Sequence, residues 1–77
     1  MAKRSIRNKD PILLEFAKKV RRHRHELELT QEQLAEIGDF HVNYVGGIER
    51  GSRNPSLTSI VKMAKALQID SRELMPD

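Results

Sequence analysis

Apolar residues recur every three or four positions through most of this 77-residue chain, which is the spacing of amphipathic helices. No segment alternates apolar and polar residues over the length of a strand. Asp10-Pro11 is a helix-start signal, because a capping carboxylate precedes a proline at a position that needs no amide hydrogen. The first helix is therefore predicted from Pro11 to about His25. Its apolar face contains Leu13, Phe16, Ala17 and Val20.

Two short helices separated by a glycine turn are predicted next. The four residues from Thr30 read Thr-Gln-Glu-Gln and match a capping box, in which Thr30 and Gln33 each bond to the other's backbone amide. This helix is predicted to end at Gly38, since glycine permits the left-handed backbone that often closes a helix. The following helix is predicted from about His41 to Glu49.

The last third of the chain predicts one longer helix and one short turn. Residues 51–55 have the composition of a loop, and Ser56 caps a fourth helix with apolar positions at helical spacing. Those positions are Leu57, Ile60, Val61, Ala64 and Leu67. Ser71 is predicted to cap a fifth helical turn that contains Leu74 and Met75. The sequence therefore predicts an all-α fold of five helices around one core.

Length and composition limit the protein class. A chain of 77 residues forms one small domain, and the absence of cysteine excludes disulfides and thiol catalysis. The longest apolar run, Ile12-Leu13-Leu14, is far short of a membrane span, and no apolar stretch follows the basic start as in a secretory signal. We therefore expect a cytoplasmic protein with no membrane partner. Residues 1–9 are predicted as a basic arm and residues 10–77 as a single domain.

Charge is divided unevenly along the chain. Residues 1–25 carry nine Lys and Arg against two acidic residues, a net charge of +7, whereas residues 26–77 have a net charge of −4. This asymmetry indicates a polyanion partner for the N-terminal third, although a solvated basic helix face would give the same composition. If the partner is DNA, the basic arm of residues 1–9 follows the DNA backbone. If the face is only solvated, the arm aids solubility.

Catalysis and metal binding find little support in the sequence. His23 and His25 are two residues apart, so on one helix they point to different faces, and His41 lies on another element. Gly46-Gly47 lacks the flanking pattern of a phosphate-binding loop. We therefore expect no enzymatic activity, no cofactor and no metal site.

The second and third helices, with the turn between them, have the organisation of a helix-turn-helix motif over residues 30–49. In that motif the second helix enters the major groove of DNA. Gly46 and Gly47 strengthen this interpretation, because each glycine costs a short helix roughly 1 kcal/mol relative to alanine. Two alternatives remain for the group that approaches these glycines closely, namely DNA and a neighbouring helix.

Three segments resemble the lambda-repressor-like family of Xre type. They read LTQEQLAE (residues 29–36), YVGGIERG (residues 44–51) and RNPSL (residues 53–57). The resemblance spans residues 13–75, and residues 44–55 are most similar to the small controller proteins of restriction–modification systems. The resemblance implies a compact five-helix domain that binds double-stranded DNA. It also implies that the protein regulates transcription, including that of its own gene.

The resemblance also implies which residues contact DNA. Base contacts are implied for Asn43, through its amide, and for Val42, through a thymine methyl group. Backbone contacts are implied for Gln31, Tyr44, Ser52, Arg53 and Asn54. Further candidate contacts are Thr30, His41, Gly46, Gly47 and Arg50. Alternatives remain open for three of these residues: Thr30 only caps its helix, Tyr44 packs as a partly buried ring, or Arg50 faces water.

The family likeness extends to an ion pair and to an oligomeric state. Arg24 and Glu49 stand where the family often pairs the first helix with the end of the recognition helix. A homodimer is expected, because one short recognition helix reads few base pairs and a twofold dimer reads two half-sites. The candidate interface residues lie in the last two helices: Met63, Leu67, Ile69, Leu74 and Met75. RNA polymerase is a further candidate partner.

The chain departs from the family pattern at several positions. Glu28 stands where relatives commonly have glycine, and His41 replaces the usual Ser, Thr or Asp cap of the recognition helix. Val42 and Gly47 replace two polar readers. These last two keep open a different interpretation, a protein-binding helix-turn-helix module without DNA affinity. Among regulators, a phage-type repressor and an antitoxin autorepressor are the alternatives to a controller protein.

Overall fold

Four α-helices and one turn of 3-10 helix make up the computed structural model, which describes residues 10–77. The helices are α1 (Pro11–Glu26), α2 (Gln31–Gly38), α3 (Val42–Glu49) and α4 (Leu57–Ala66), followed by the 3-10 turn Ser71–Leu74. No strand occurs within residues 10–77, so the all-α prediction is confirmed. The basic arm predicted for residues 1–9 lies outside the described residues.

The predicted fifth helical element is present as a turn, but it is not an α-helix and Ser71 does not cap it. The segment is one 3-10 turn, and its cap is Asp70, whose carboxylate accepts a hydrogen bond from the backbone N–H of Arg72 at 2.9 Å. Met75 returns to extended backbone at the end of this turn. The next residue is Pro76, and a proline disfavours the helical conformation in the residue before it.

The helix starts follow the predicted local chemistry. The Asp10 carboxylate accepts from the backbone N–H of Ile12 at 2.9 Å, with proline at the first helical position. At α2 the backbone N–H of Gln33 donates to Thr30 Oγ1 at 3.0 Å, and the backbone N–H of Thr30 donates to Gln33 Oε1 at 2.8 Å. Both halves of the predicted capping box are therefore present.

The end of α2 differs from the prediction. Gly38 is the last helical residue, and the left-handed residue is Asp39, with φ 59°. Gly38 is required for space instead, because a Cβ atom at this position would lie 2.6 Å from the ring of Phe40. The glycine therefore lets Phe40 pack closely against the end of α2.

The core lies between all four α-helices and the 3-10 turn. Its fully buried large side chains are Val20, Leu34, Val45, Ile48, Met63, Leu67 and Leu74. On α4 the buried stripe runs through Met63, Ala64 and Leu67, and the predicted apolar positions Leu57 and Val61 are exposed by 75% and 42%. These two residues lie one turn apart on a neighbouring stripe of the helix, so the predicted α4 face was only partly right.

Candidate nucleic-acid interface

The helix-turn-helix predicted over residues 30–49 is formed by α2 and α3. α3 packs against both α1 and α2, and it buries Val45 and Ile48 toward the core. On the opposite side Asn43 is exposed in the first turn, whereas Val42 is partly buried against the core. Of the two predicted base-contacting residues, Asn43 is thus the more accessible.

His41 caps α3 in place of the usual hydroxyl or carboxylate. Its ring atom Nδ1 accepts a hydrogen bond from the backbone N–H of Asn43 at 3.1 Å. This bond needs an unprotonated Nδ1, because only the unprotonated ring nitrogen can accept. The imidazole of His41 therefore caps α3 although it is not one of the usual capping side chains.

A polar network joins α1, the start of α2 and the end of α3. Arg24 Nε donates to Glu49 Oε2 at 2.6 Å, and Arg24 Nη2 donates to Glu49 Oε1 at 2.9 Å. Glu49 is only 4% exposed, and Gln31 Nε2 donates to its Oε1 at 3.0 Å. A guanidinium nitrogen of Arg21 donates to the backbone carbonyl of Glu49. The predicted partners Arg24 and Glu49 therefore form a bidentate pair at the end of α3.

The electrostatics of this network follow from its geometry. The hydrogen bond to Glu49 raises the pKa of the Arg24 guanidinium, although burial acts in the opposite direction. Arg24 Nη1 also donates to the backbone carbonyl of Leu29 at 2.7 Å, in the connection that leads into α2. One cationic side chain therefore ties the entry of α2 to the last residue of α3.

Gly46 and Gly47 of α3 are covered by arginines that follow the helix. A Cβ atom on Gly47 would lie 2.6 Å from Cγ of Arg53. A Cβ atom on Gly46 would lie 3.2 Å from Nη1 of Arg50 and 3.6 Å from Oε1 of Gln31. The close approach is therefore made at Gly47 by Arg53 of the following loop, and at Gly46 by Arg50 and by Gln31 of the neighbouring helix α2.

Two stacked rings lie between two cations beside α3. The guanidinium carbon of Arg53 lies 5.5 Å from the centre of the Tyr44 ring, and the Tyr44 and Phe40 rings are stacked with centres 5.5 Å apart. Lys62 Nζ lies 4.8 Å from the centre of the Phe40 ring. We call these four residues, Arg53, Tyr44, Phe40 and Lys62, the cation–aromatic stack.

Sequence reasoning did not assign Phe40 and Lys62 to the site. A four-residue spacing predicts two neighbouring rings only when both residues lie on one helix. Phe40 lies before α3, so the spacing of Phe40 and Tyr44 did not predict their contact. Lys62 comes from α4 and has no signal in the local sequence.

The remaining predicted contacts are distributed around α3. Ser52 Oγ donates to the backbone carbonyl of Gly47 at 3.1 Å, so this hydroxyl closes the helix in the free protein. Thr30 caps α2 through its hydroxyl. Arg50 and Asn54 are exposed. The structure thus brings Gln31, Gly46 and Arg50 together on one flank of α3, and Tyr44, Gly47 and Arg53 together on the other.

Three candidate dimer-interface residues fill the core of this chain. Met63, Leu67 and Leu74 are at most 1% exposed, because α4 and the 3-10 turn pack them against the other helices. Ile69 is partly buried against the same core, whereas Met75 is 43% exposed. Of the five candidates, Met75 therefore offers the most surface to a partner.

Within residues 10–77 no group of three or more His, Asp or Glu side chains is placed to hold a metal ion. None of the helices in that range is long and apolar enough to cross a membrane.

Comparison with protein families and curated proteins gives a consistent assignment. The model of the helix-turn-helix family HTH_3 matches residues 16–74. The control protein C.BamHI of Bacillus amyloliquefaciens is 43% identical over 65 residues, which cover 83% of this chain and 80% of that protein. The control protein C.SmaI of Serratia marcescens is 42% identical over 60 residues, which cover 78% of this chain and 71% of that protein.

Solved structures lead to the same group. The restriction–modification controller protein C.AhdI from Aeromonas hydrophila superposes with a TM-score of 0.80 at 46% identity, covering 82% of this chain and 96% of that chain. The controller protein C.Esp1396I, solved as a tetramer in complex with its natural 35 base-pair operator, superposes with a TM-score of 0.80 at 29% identity, covering 86% of this chain and 87% of that chain. The chain therefore belongs to the helix-turn-helix family HTH_3 and, within it, to the group of restriction–modification control proteins.

Proposed function

We propose that this protein is a sequence-specific regulator of transcription that binds double-stranded DNA as a homodimer and controls its own promoter. The observation that carries the proposal is the exposed first turn of α3, with Asn43 at its surface and Gln31 and Arg53 on its two flanks. The controller protein C.Esp1396I, which shares this fold, was solved on its operator. We place the protein in the cytoplasm, where such an operator is accessible.

Asn43 is suited to read a base edge. Its side chain is exposed, and its backbone N–H is already bonded to the His41 cap. The side-chain amide is therefore available to pair in bidentate fashion with adenine in the major groove. Val42, beside it, offers only an apolar contact, and base discrimination rests mainly on Asn43 in this turn.

Gln31 is suited to hold a phosphate at the start of α2. An amide nitrogen has two N–H groups, and Glu49 uses one of them, so the other is available to a phosphate oxygen. The positive end of the α2 dipole favours an anion at the same place. On the opposite flank the Arg53 guanidinium is always charged and binds phosphate through hydrogen bonds that the charge strengthens.

A second copy of the chain is proposed to pack on the outer face of α4. Leu57 and Val61 lie on this face, and Met75 and Ile12 are exposed by 43% and 60% at its edge. Ile12 and Met75 also line a shallow apolar cavity of about 90 Å³ together with Phe16 and Ile60. A twofold interface here would remove these apolar surfaces from water, which favours association.

The experiment that tests the function is a titration with duplex DNA at several salt concentrations. Duplexes selected by the protein from a random pool supply the specific site. For a DNA-binding protein the logarithm of the affinity falls linearly with the logarithm of the salt concentration, because bound cations of the DNA are released. A flat or absent response would contradict the proposal and favour a helix-turn-helix module that binds another protein. RNA polymerase stays a candidate partner of the DNA-bound dimer.

A further inference from the structure

Arg53 is an exposed residue that the structure nevertheless holds from two sides. Its stem crosses α3 at Gly47, where a Cβ atom would lie 2.6 Å from Arg53 Cγ and 3.5 Å from Arg53 Nε. Its guanidinium lies over the ring of Tyr44, the first ring of the cation–aromatic stack. An arginine on a surface loop ordinarily samples many rotamers, and these two contacts select a few of them.

Gly47 leaves the space through which the Arg53 stem crosses α3. Its backbone is ordinary α-helix, so its conformation does not call for glycine. Helix propensity disfavours glycine at such a position, and alanine would be the better residue for α3 alone. The space that a Cβ atom would fill is taken by the Arg53 stem, which gives the position a reason to remain glycine.

Phe40 acts on Arg53 through Tyr44. The Phe40 ring stacks on Tyr44 with an angle of 23° between the ring planes. The Lys62 ammonium, from α4, lies over the Phe40 ring. Gly38 leaves the room that Phe40 needs to take this position. The stack fixes the orientation of the Tyr44 ring, and the face of that ring determines where a guanidinium gains a cation–π contact.

We propose that Gly47 and Phe40 are positioning residues that pre-organise the Arg53 guanidinium for contact with DNA. The proposal rests on the DNA-binding function proposed above. A side chain that is already ordered loses less conformational entropy on binding, so pre-organisation increases affinity without adding a contact. Neither Gly47 nor Phe40 needs to touch DNA for this effect.

The first test uses the free protein. Tyr44 is the sole tyrosine and there is no tryptophan, so its ring signals are assigned without ambiguity. The δ protons of Arg53 should be shifted upfield by the Tyr44 ring current in the NMR spectrum. Gly47→Ala and Phe40→Leu should both move them back toward the values of an unstructured peptide. The matched control is Gly46→Ala, whose new methyl group would lie 3.2 Å from Arg50 Nη1 and 3.6 Å from Gln31 Oε1 with no Arg53 atom within 4 Å, and it should leave the Arg53 shifts in place.

The second test is a double-mutant cycle for binding to the selected duplex. Gly47→Ala should lower the affinity about tenfold and Phe40→Leu about threefold, which are the sizes expected from lost pre-organisation and a weakened cation–π contact. In the Arg53→Ala background both substitutions should have almost no effect, because the residue they position is gone. Gly46→Ala should change the affinity by the same factor in both backgrounds. Gly47→Ala should also leave the denaturation midpoint at or above that of the parent protein, which separates positioning from a loss of folding.

The outcomes distinguish this proposal from the proposed function. Arg53 shifts that stay in place in both variants would overturn the positioning role, as would equal losses of affinity with and without Arg53. If the parent protein itself shows no salt-dependent DNA binding, the proposed function fails, and the NMR shifts of the free protein still decide whether Gly47 and Phe40 order Arg53.

Discussion

Residues in the left-handed backbone conformation close three of the helices. Among residues 10–77 the non-glycine residues with positive φ are Glu28, Asp39 and Gln68, at 57°, 59° and 61°. They follow α1, α2 and α4 respectively. An L-residue in this conformation brings its Cβ atom close to the backbone, which costs about 1 kcal/mol or more. Glu28 is exposed, so a substitution there changes the backbone conformation without removing a buried side chain.

Replacing Glu28 by glycine should therefore stabilise the protein. We expect Glu28→Gly to raise the free energy of unfolding by about 0.5–1 kcal/mol, after the greater freedom of glycine in the unfolded chain is subtracted. Urea denaturation measures this change. The matched control is Glu26→Gly, at the last residue of α1, which should destabilise the protein because glycine is a poor helix former. Equal effects at the two positions would show that the left-handed backbone at Glu28 carries no strain.

Asn43 gives a prediction about recognition at the same scale. Its side chain is exposed, and the cap uses only its backbone N–H, so Asn43→Ala should leave the stability nearly unchanged. Binding to the selected duplex should weaken by about 1–3 kcal/mol, and the preference at one base position should disappear. Selection from a random pool with parent and variant measures this loss. If the variant selects the same sequence as the parent, Asn43 is not a base reader.

At the scale of the elements, Glu49 connects three helices. Its carboxylate accepts from Arg24 of α1 and from Gln31 of α2, and Glu49 itself is the last residue of α3. The network therefore fixes the end of α3 relative to the start of α2, where we propose that Gln31 binds a phosphate. Because the carboxylate is buried, it is stable as a charge only while these donors are present.

Removal of the Arg24 guanidinium should be costly for this reason. Arg24→Met keeps most of the stem but leaves the Glu49 carboxylate without its bidentate partner, and we expect a loss of about 2–4 kcal/mol in the free energy of unfolding. The control is Arg72→Met, which breaks the exposed pair with Asp70 and should change the stability little. Denaturation curves of the two variants compare them directly. Equal, small losses would mean that the buried pair contributes no more than a surface pair.

The sequence predicted the starts of the elements better than their ends and faces. Asp10 and Thr30 cap their helices through neighbouring residues, so short-range spacing contains the whole signal. The space that requires glycine at position 38, at the end of α2, is set by the packing of Phe40, which depends on tertiary structure. The family resemblance predicted the ion pair between Arg24 of α1 and Glu49 of α3, a contact between two helices that local spacing does not indicate. It did not reveal that Arg53 crosses Gly47, because that contact forms only when the loop after α3 folds back on the helix.

For the whole molecule, the outer face of α4 combines exposure with apolar character. Leu57 is 75% exposed and Val61 is 42% exposed, and both belong to a helix whose opposite face lies in the core. Aliphatic side chains one turn apart on a surface helix match the requirement of a twofold interface, in which the same patch of each copy meets its counterpart. A monomer would present only one recognition helix, whereas the proposed dimer would align two with the two halves of an operator.

Leu57→Asp should therefore dissociate the protein into monomers, because the dimer would bury a carboxylate close to its twofold counterpart. Sedimentation equilibrium measures the change, and the affinity for a duplex with two half-sites should fall toward that for a single half-site, since the linked second binding event is lost. The matched control is Ile37→Asp in α2. Ile37 is also an exposed aliphatic residue, at 57%, and it lies beside Lys62 and Lys65 of α4, away from Leu57. This substitution should leave the dimer intact. If Ile37→Asp dissociates the dimer and Leu57→Asp does not, the interface lies on the α2 side of the molecule. The two copies of α3 would then have a different spacing and orientation on the DNA.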